Sequence, residues 1–61
     1  MQVHVINSGF NTDHGFFDVE VQSLKIDGND RPYAIVSYPG WGRVDSCRAE
    51  FDGTEWVVDF D

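Results

Sequence analysis

From Phe17 to Gln22 the chain alternates apolar and polar residues without a break, Phe17, Val19 and Val21 against Asp18, Glu20 and Gln22. A period of two puts successive side chains on opposite faces of an extended backbone, so it marks a strand with one covered face. The same period runs through most of the chain. No segment repeats apolar residues at helical spacing for long enough to build a helix face. The chain is therefore expected to be all-β.

Five strand-like runs are separated by clusters of Gly, Pro, Asn and Asp. The first is Gln2 to Ile6, with Val3 and Val5 on one face, followed by a polar loop from Asn7 to Gly15. The second is a long run from Phe16 to Ile26. In it Leu24 and Ile26 continue the apolar series with the opposite parity, so a one-residue slip near Gln22-Ser23 predicts a β-bulge or sharp bend that keeps both on the core side. Asp27-Gly28-Asn29-Asp30 has turn chemistry, and Tyr33 to Tyr38 is apolar on both faces, as a central strand is. Pro39-Gly40-Trp41-Gly42 reads as a loop. The last two runs, Val44 to Phe51 and Thr54 to Phe60, meet at Asp52-Gly53. That dipeptide suits a two-residue type I′ turn, which would set Phe51 opposite Thr54, Glu50 opposite Glu55 and Ala49 opposite Trp56.

That register gathers Cys47, Ala49, Phe51, Trp56, Val58 and Phe60 on one face, and Glu50, Glu55 and Asp59 with Arg48 on the other. Phe16, Val36 and Val57 fall opposite their strands' main apolar partners. Either the sheet curls into a barrel or a second copy covers its outside as a homodimer. The fold class expected is a small five-stranded antiparallel meander or an SH3-like/OB-like barrel.

Sixty-one residues, 41% of them hydrophobic, cannot close two cores, so residues 1–61 form a single domain. Nine large aromatic rings (Phe10, Phe16, Phe17, Tyr33, Tyr38, Trp41, Phe51, Trp56 and Phe60) are the candidates to fill it. A lone cysteine, Cys47, allows no internal disulfide and fits a reducing compartment. The N-terminal residues lack the basic region and apolar run of a signal peptide, and no stretch approaches the ~20 apolar residues of a spanning helix. The expected location is the cytoplasm, away from membranes.

Eleven acids against four bases give a net charge of −7 and a pI near 4.3. Binding a phosphate backbone requires Lys and Arg to neutralise it, so direct nucleic-acid binding is disfavoured. The natural partner is a protein with a basic surface.

Signs of catalysis are weak. There is no CxxC, HExxH or His-x-His spacing, and neither Asn11-Thr12-Asp13-His14 nor Asp27-Gly28-Asn29-Asp30 has the ligand alternation of a calcium loop. Cys47 falls mid-strand on the core face, where a thiol packs as a small hydrophobe. Gly40-Trp41-Gly42 precedes no helix that could cradle phosphate. The chain is read as a non-enzyme with no catalytic residue, metal or cofactor.

Two binding features remain. Trp41, set between glycines and beside Arg43, has the composition of an interface hot spot, and with Tyr33 and Tyr38 it offers an aromatic surface. Asp18 and Glu20, two apart on a strand, would stand about 6.6 Å from each other. Together with Glu50, Asp52, Glu55 and Asp59 they make an acidic comb at a spacing comparable to that of nucleic-acid phosphates. The comb points to a small inhibitor or modulator of a basic, nucleic-acid-binding protein. By analogy alone, such a DNA mimic fits the counter-defence factors of phages and mobile elements. The alternative is a generic SH3-like interaction module that works through Trp41 and the tyrosines.

Overall fold

Alternation along the first strand buries Val3 and Val5, and the same rule applied to the later strands buries Ala34, Val36, Ala49 and Val58 beside them. The computed structural model describes residues 1–41, Trp41 by its backbone alone, and residues 46–61. It contains six strands: β1 (Gln2–Asn7), β2 (Thr12–Asp18), β3 (Glu20–Ile26), β4 (Pro32–Ser37), β5 (Cys47–Phe51) and β6 (Trp56–Asp59). Short 3-10 turns at Ser8–Phe10 and Pro39–Trp41 are the only helical elements among the described residues. The fold is all-β, and among the described residues no helix is long and apolar enough to cross a membrane.

The strands form one sheet in the order β2-β1-β6-β5-β4-β3. β1 runs parallel to β6, and the other neighbours are antiparallel. The expected five-stranded antiparallel barrel is thus corrected to a six-stranded mixed, open sheet. The extra strand comes from the long second run, which divides at Val19 into β2 and β3, and from the loop before it, whose last four residues, from Thr12 onward, are already strand.

β2 and β3 are the two outermost strands, yet Val19 alone separates them. Laid flat, six strands would put the outer pair about 24 Å apart, whereas Asp18 and Glu20 are two residues apart in the chain. The sheet therefore rolls strongly, and Val19, 4% exposed, turns into its concave side. Val19 N–H donates to Met1 O at 2.7 Å, which holds the turning point against the start of β1.

That curvature determines what fills the interior. The buried core is five valines and two alanines: Val3, Val5, Val19, Val36, Val58, Ala34 and Ala49. The expected aromatic core is corrected. Inward-facing side chains converge inside a rolled sheet, so small residues fit there and rings do not. Phe17, Tyr38 and Trp56 pack half-buried against the core, with Phe17 edge-on to Tyr38 at 5.1 Å. Phe10, Phe16, Phe51 and Phe60 are exposed.

Val36 belongs to the core and not to the opposite face, because it pairs with Val21 on β3 and Cys47 on β5. It is fully covered by its own chain, so a second copy does not reach it. The bulge expected near Gln22-Ser23 is present, with the β3–β4 register stepping between Val21 and Ser23. Leu24 nevertheless stands opposite buried Ala34 with 62% of its own surface exposed, and Ile26 is 70% exposed. The bulge turns them to the concave side, but at the sheet's rim no layer covers them.

The last hairpin departs from the two-residue turn. Phe51 pairs with Trp56 and Glu50 with Val57, so Asp52 to Glu55 form a four-residue loop. Oδ1 of Asp52 accepts from Thr54 N–H at 2.8 Å, Glu55 N–H at 2.8 Å and the Thr54 hydroxyl at 3.0 Å. Asp52 N–H donates to Glu55 O at 3.0 Å, and Gly53 takes the positive φ of 107°. A carboxylate that satisfies three donors makes the longer loop self-supporting. The expected strand start at Val44 lies outside the described residues.

Candidate functional site

Paired residues share a face of the sheet, so the outer face can be read across the strands. One row runs Phe16, His4, Val57, Glu50, Tyr33 and Lys25 from β2 through to β3. Phe16 stacks on the His4 ring at 4.6 Å, and half-buried Val57 is beside it. These two outward apolar residues thus cover an imidazole.

His4 lies at the centre of an unanticipated cluster. Its Nδ1 is 2.9 Å from Oε1 of Glu55 and its Nε2 is 2.7 Å from Oδ1 of Asp13. The same Asp13 oxygen accepts Gly15 N–H at 2.8 Å. The hydrogen bond to Glu55, then that to Asp13, raises the His4 pKa above its ordinary value. Asp13 is held below the usual carboxylate range, first by Gly15 N–H and then by His4. In its protonated form the imidazole donates from both nitrogens, so it is a cationic clip between carboxylates from two different elements. With both nitrogens engaged, no basic lone pair is left facing an incoming group.

The predicted acidic residues divide among several roles. Asp18 ends β2, its side chain 90% exposed and 3.3 Å from the Met1 amine. Glu20 opens β3, also exposed. Asp18 and Glu20 flank the Val19 turning point and belong to opposite edges of the strand order, so they are not two teeth of one strand. Glu50 pairs with Arg48 Nε at 3.2 Å and stands opposite Val57, so the expected Glu50–Glu55 confrontation does not exist. Asp52 organises its loop and Glu55 grips His4. Asp59 accepts Asp61 N–H at 3.0 Å and Ser8 N–H at 3.1 Å, bonds that lower its pKa. The single comb is corrected: three of its six carboxylates are tied into local structure, a fourth is paired with arginine and a fifth, Asp18, with the Met1 amine.

The aromatic feature is also divided. Tyr33 lies under the Arg48 guanidinium, 3.9 Å from ring centre to Cζ, and Tyr38 packs on Phe17. The Trp41 side chain and Arg43 lie outside the described residues. Arg48 further reaches Asp27 at 3.4 Å.

A different charge pattern emerges from the strand order. Residues 1–19 and 52–61, which supply β1, β2 and β6, contain six of the eleven acids and none of the lysines or arginines. Residues 20–51, which supply β3, β4 and β5, contain five acids and all four bases. Since β2, β1 and β6 are neighbours, the described residues give the sheet an acidic half of formal charge −6, counting histidines as neutral, and a near-neutral half of −1. Counting charges by segment exposes the imbalance, but only the parallel β1–β6 pairing shows that the two acidic segments lie together.

No group of three or more His, Cys, Asp or Glu among the described residues is arranged to hold a metal ion. Burial pushes the Cys47 thiol pKa up, which works against thiolate chemistry. No protein-family model, curated protein or solved structure matches the chain.

Proposed function

We propose that this protein is a small non-enzymatic binding module whose acidic half, β2-β1-β6, docks on the basic surface of a nucleic-acid-binding protein and thereby inhibits or modulates it. The observation that carries this reading is the segregation of charge into a −6 half and a −1 half. A surface of one sign steers an oppositely charged partner and sets its orientation, which a uniformly mixed surface does not do. The His4 clip supports it further by tying β1, β2 and the β5–β6 loop into one rigid face. The non-enzymatic reading draws support from the two groups best suited to catalysis: His4 has both nitrogens engaged and Cys47 has its thiol stabilised. Of the aromatic alternative, Tyr33 lies under the Arg48 guanidinium and Tyr38 packs on Phe17, while the Trp41 side chain lies outside the described residues.

The test uses exposed carboxylates with only peripheral bonds, Asp18 to the Met1 amine at 3.3 Å and Asp61 from the Ser8 hydroxyl at 3.4 Å. Immobilised protein is used to capture basic nucleic-acid-binding proteins from a lysate, with salt elution and with oligonucleotide as competitor. Asp18→Lys with Asp61→Lys should abolish capture, while Asp30→Lys on the near-neutral half should leave it unchanged. Salt should elute the partner steeply and oligonucleotide should compete for it. Equal behaviour of the two variants would reduce the acidic half to a solubility device.

A further inference from the structure

We propose that the free edge of β3 is a self-association edge, along which two copies of this protein pair antiparallel. This is independent of the acidic-half reading. Among the described strands β3 ends the order and pairs with β4 alone, so its other edge is open as a template for another strand. Three aliphatic side chains on this strand are exposed: Val21 at 41%, Leu24 at 62% and Ile26 at 70%. All three pair with concave-side residues of β4, so they form one apolar strip along the open rim and not scattered surface positions.

Charge selects the occupant and its direction. Glu20 lies at one end of β3 and Lys25 near the other, and neither makes an ion pair with another described residue. Antiparallel pairing of two copies brings each Glu20 alongside the other copy's Lys25, whereas parallel pairing would set like against like. Both side chains project to the outer face, where they flank the aliphatic strip without crossing it. The other outer strand, β2, fails the same test. It has Asp13 and Asp18 toward its two ends and no lysine or arginine, so antiparallel self-pairing would set carboxylate against carboxylate.

A seven-residue edge with three aliphatics is smaller than the 1,200–2,000 Å² typical of stable complexes, so the dimer should dissociate at low micromolar and be populated near about 100 µM. The bulge at Gln22 and the charge at Lys25 are the devices by which an edge rejects indiscriminate pairing. Here they leave self-complementary pairing as the favoured option.

Sedimentation across that concentration range tests the proposal with four proteins: wild type, Glu20→Lys, Lys25→Glu and the double reversal. Each single reversal converts two attractive cross-strand pairs into repulsive ones and should weaken association about tenfold. The double reversal restores complementarity and should restore the dimer. A Ser23→Cys variant in a Cys47→Ser background, with the new thiol near the strand's midpoint, should cross-link on oxidation, while Ser8→Cys in the same background should not. Far-UV circular dichroism checks that each variant is folded, and the cross-linking needs no charge change. A wild type monomeric throughout, a dimer indifferent to both single reversals, or a double reversal that fails to restore pairing would each overturn the proposal.

Discussion

Oε1 of Glu55 lies 2.9 Å from Nδ1 of His4, a residue fifty-one positions earlier in the chain. The contact crosses the parallel junction of β1 and β6, and through Nε2 the same ring reaches Asp13 on β2. A single imidazole thus joins three elements of the sheet, and its protonation state bears on all of them.

The first prediction follows from that linkage. The folded state raises the His4 pKa above 6.5, so its stabilisation is complete below that pH and is lost as pH rises through the higher folded value. Asp13, Asp27, Asp52 and Asp59 are shifted below 3.8, so theirs is present above 3.8 and is lost as pH falls through their lower folded values. Urea midpoints should therefore peak between pH 3.8 and 6.5 and decline on either side. Glu55→Gln should flatten the alkaline decline. An unchanged profile in that variant would show that the contact is not formed in solution.

Charge reversal should separate two acids that look alike in sequence. Glu55→Lys sets a cation against His4 and should lower the denaturant midpoint with the slope unchanged. Asp18→Lys, at a side chain 90% exposed, should leave the midpoint within experimental scatter. Equal effects would contradict the roles assigned to them.

The valine core makes a size-inverted prediction. Val58→Ala, at a site 1% exposed, should cost about 2 kcal/mol. Phe10→Ala removes a far larger group at 80% exposure and should stay within about 0.5 kcal/mol. Denaturant titration of both variants decides the ordering.

Cys47 should be slow to alkylate at neutral pH, because burial raises its thiol pKa. Cys47→Ala should cost about 1 kcal/mol. Alkylation at the rate of a free thiol in the native protein would contradict the half-buried placement.

How much of this was legible beforehand varies by residue. Alternation correctly assigned the inward face of β5 and β6, with Ala49 and Val58 both buried. It could not give their register. Moving Phe51 from Thr54 to Trp56 shifts the pairing by two, and an even shift leaves every side chain on the same face. Amphipathicity was therefore equally consistent with both registers, and only the hydrogen bonds of Asp52 favour the longer loop. The step at Gln22 was visible in the parity of Leu24 and Ile26, but their exposure was not, because parity says which way a side chain points and nothing about what lies above it. The His4 cluster was invisible for a topological reason. Asp13 and Glu55 converge on His4 only if β1 lies between β2 and β6, and nothing local in the sequence records that the first and last strands pair.

That pairing has a consequence for how the chain acquires its structure. Val3 is matched with Trp56 and Val5 with Val58, so the opening strand finds its parallel neighbour only after nearly the whole chain has emerged. The intervening hairpins close locally and early, while the β1–β6 ladder must recruit strands from opposite ends. Such distant pairing slows folding more than chain length does. A polypeptide that has emerged only as far as Glu50 carries four of its five core valines but lacks Val58, and the β1–β2 hairpin has no third strand to rest on. The two ends of the sequence act as a clasp, and its closure is the step at which this small sheet becomes a folded protein.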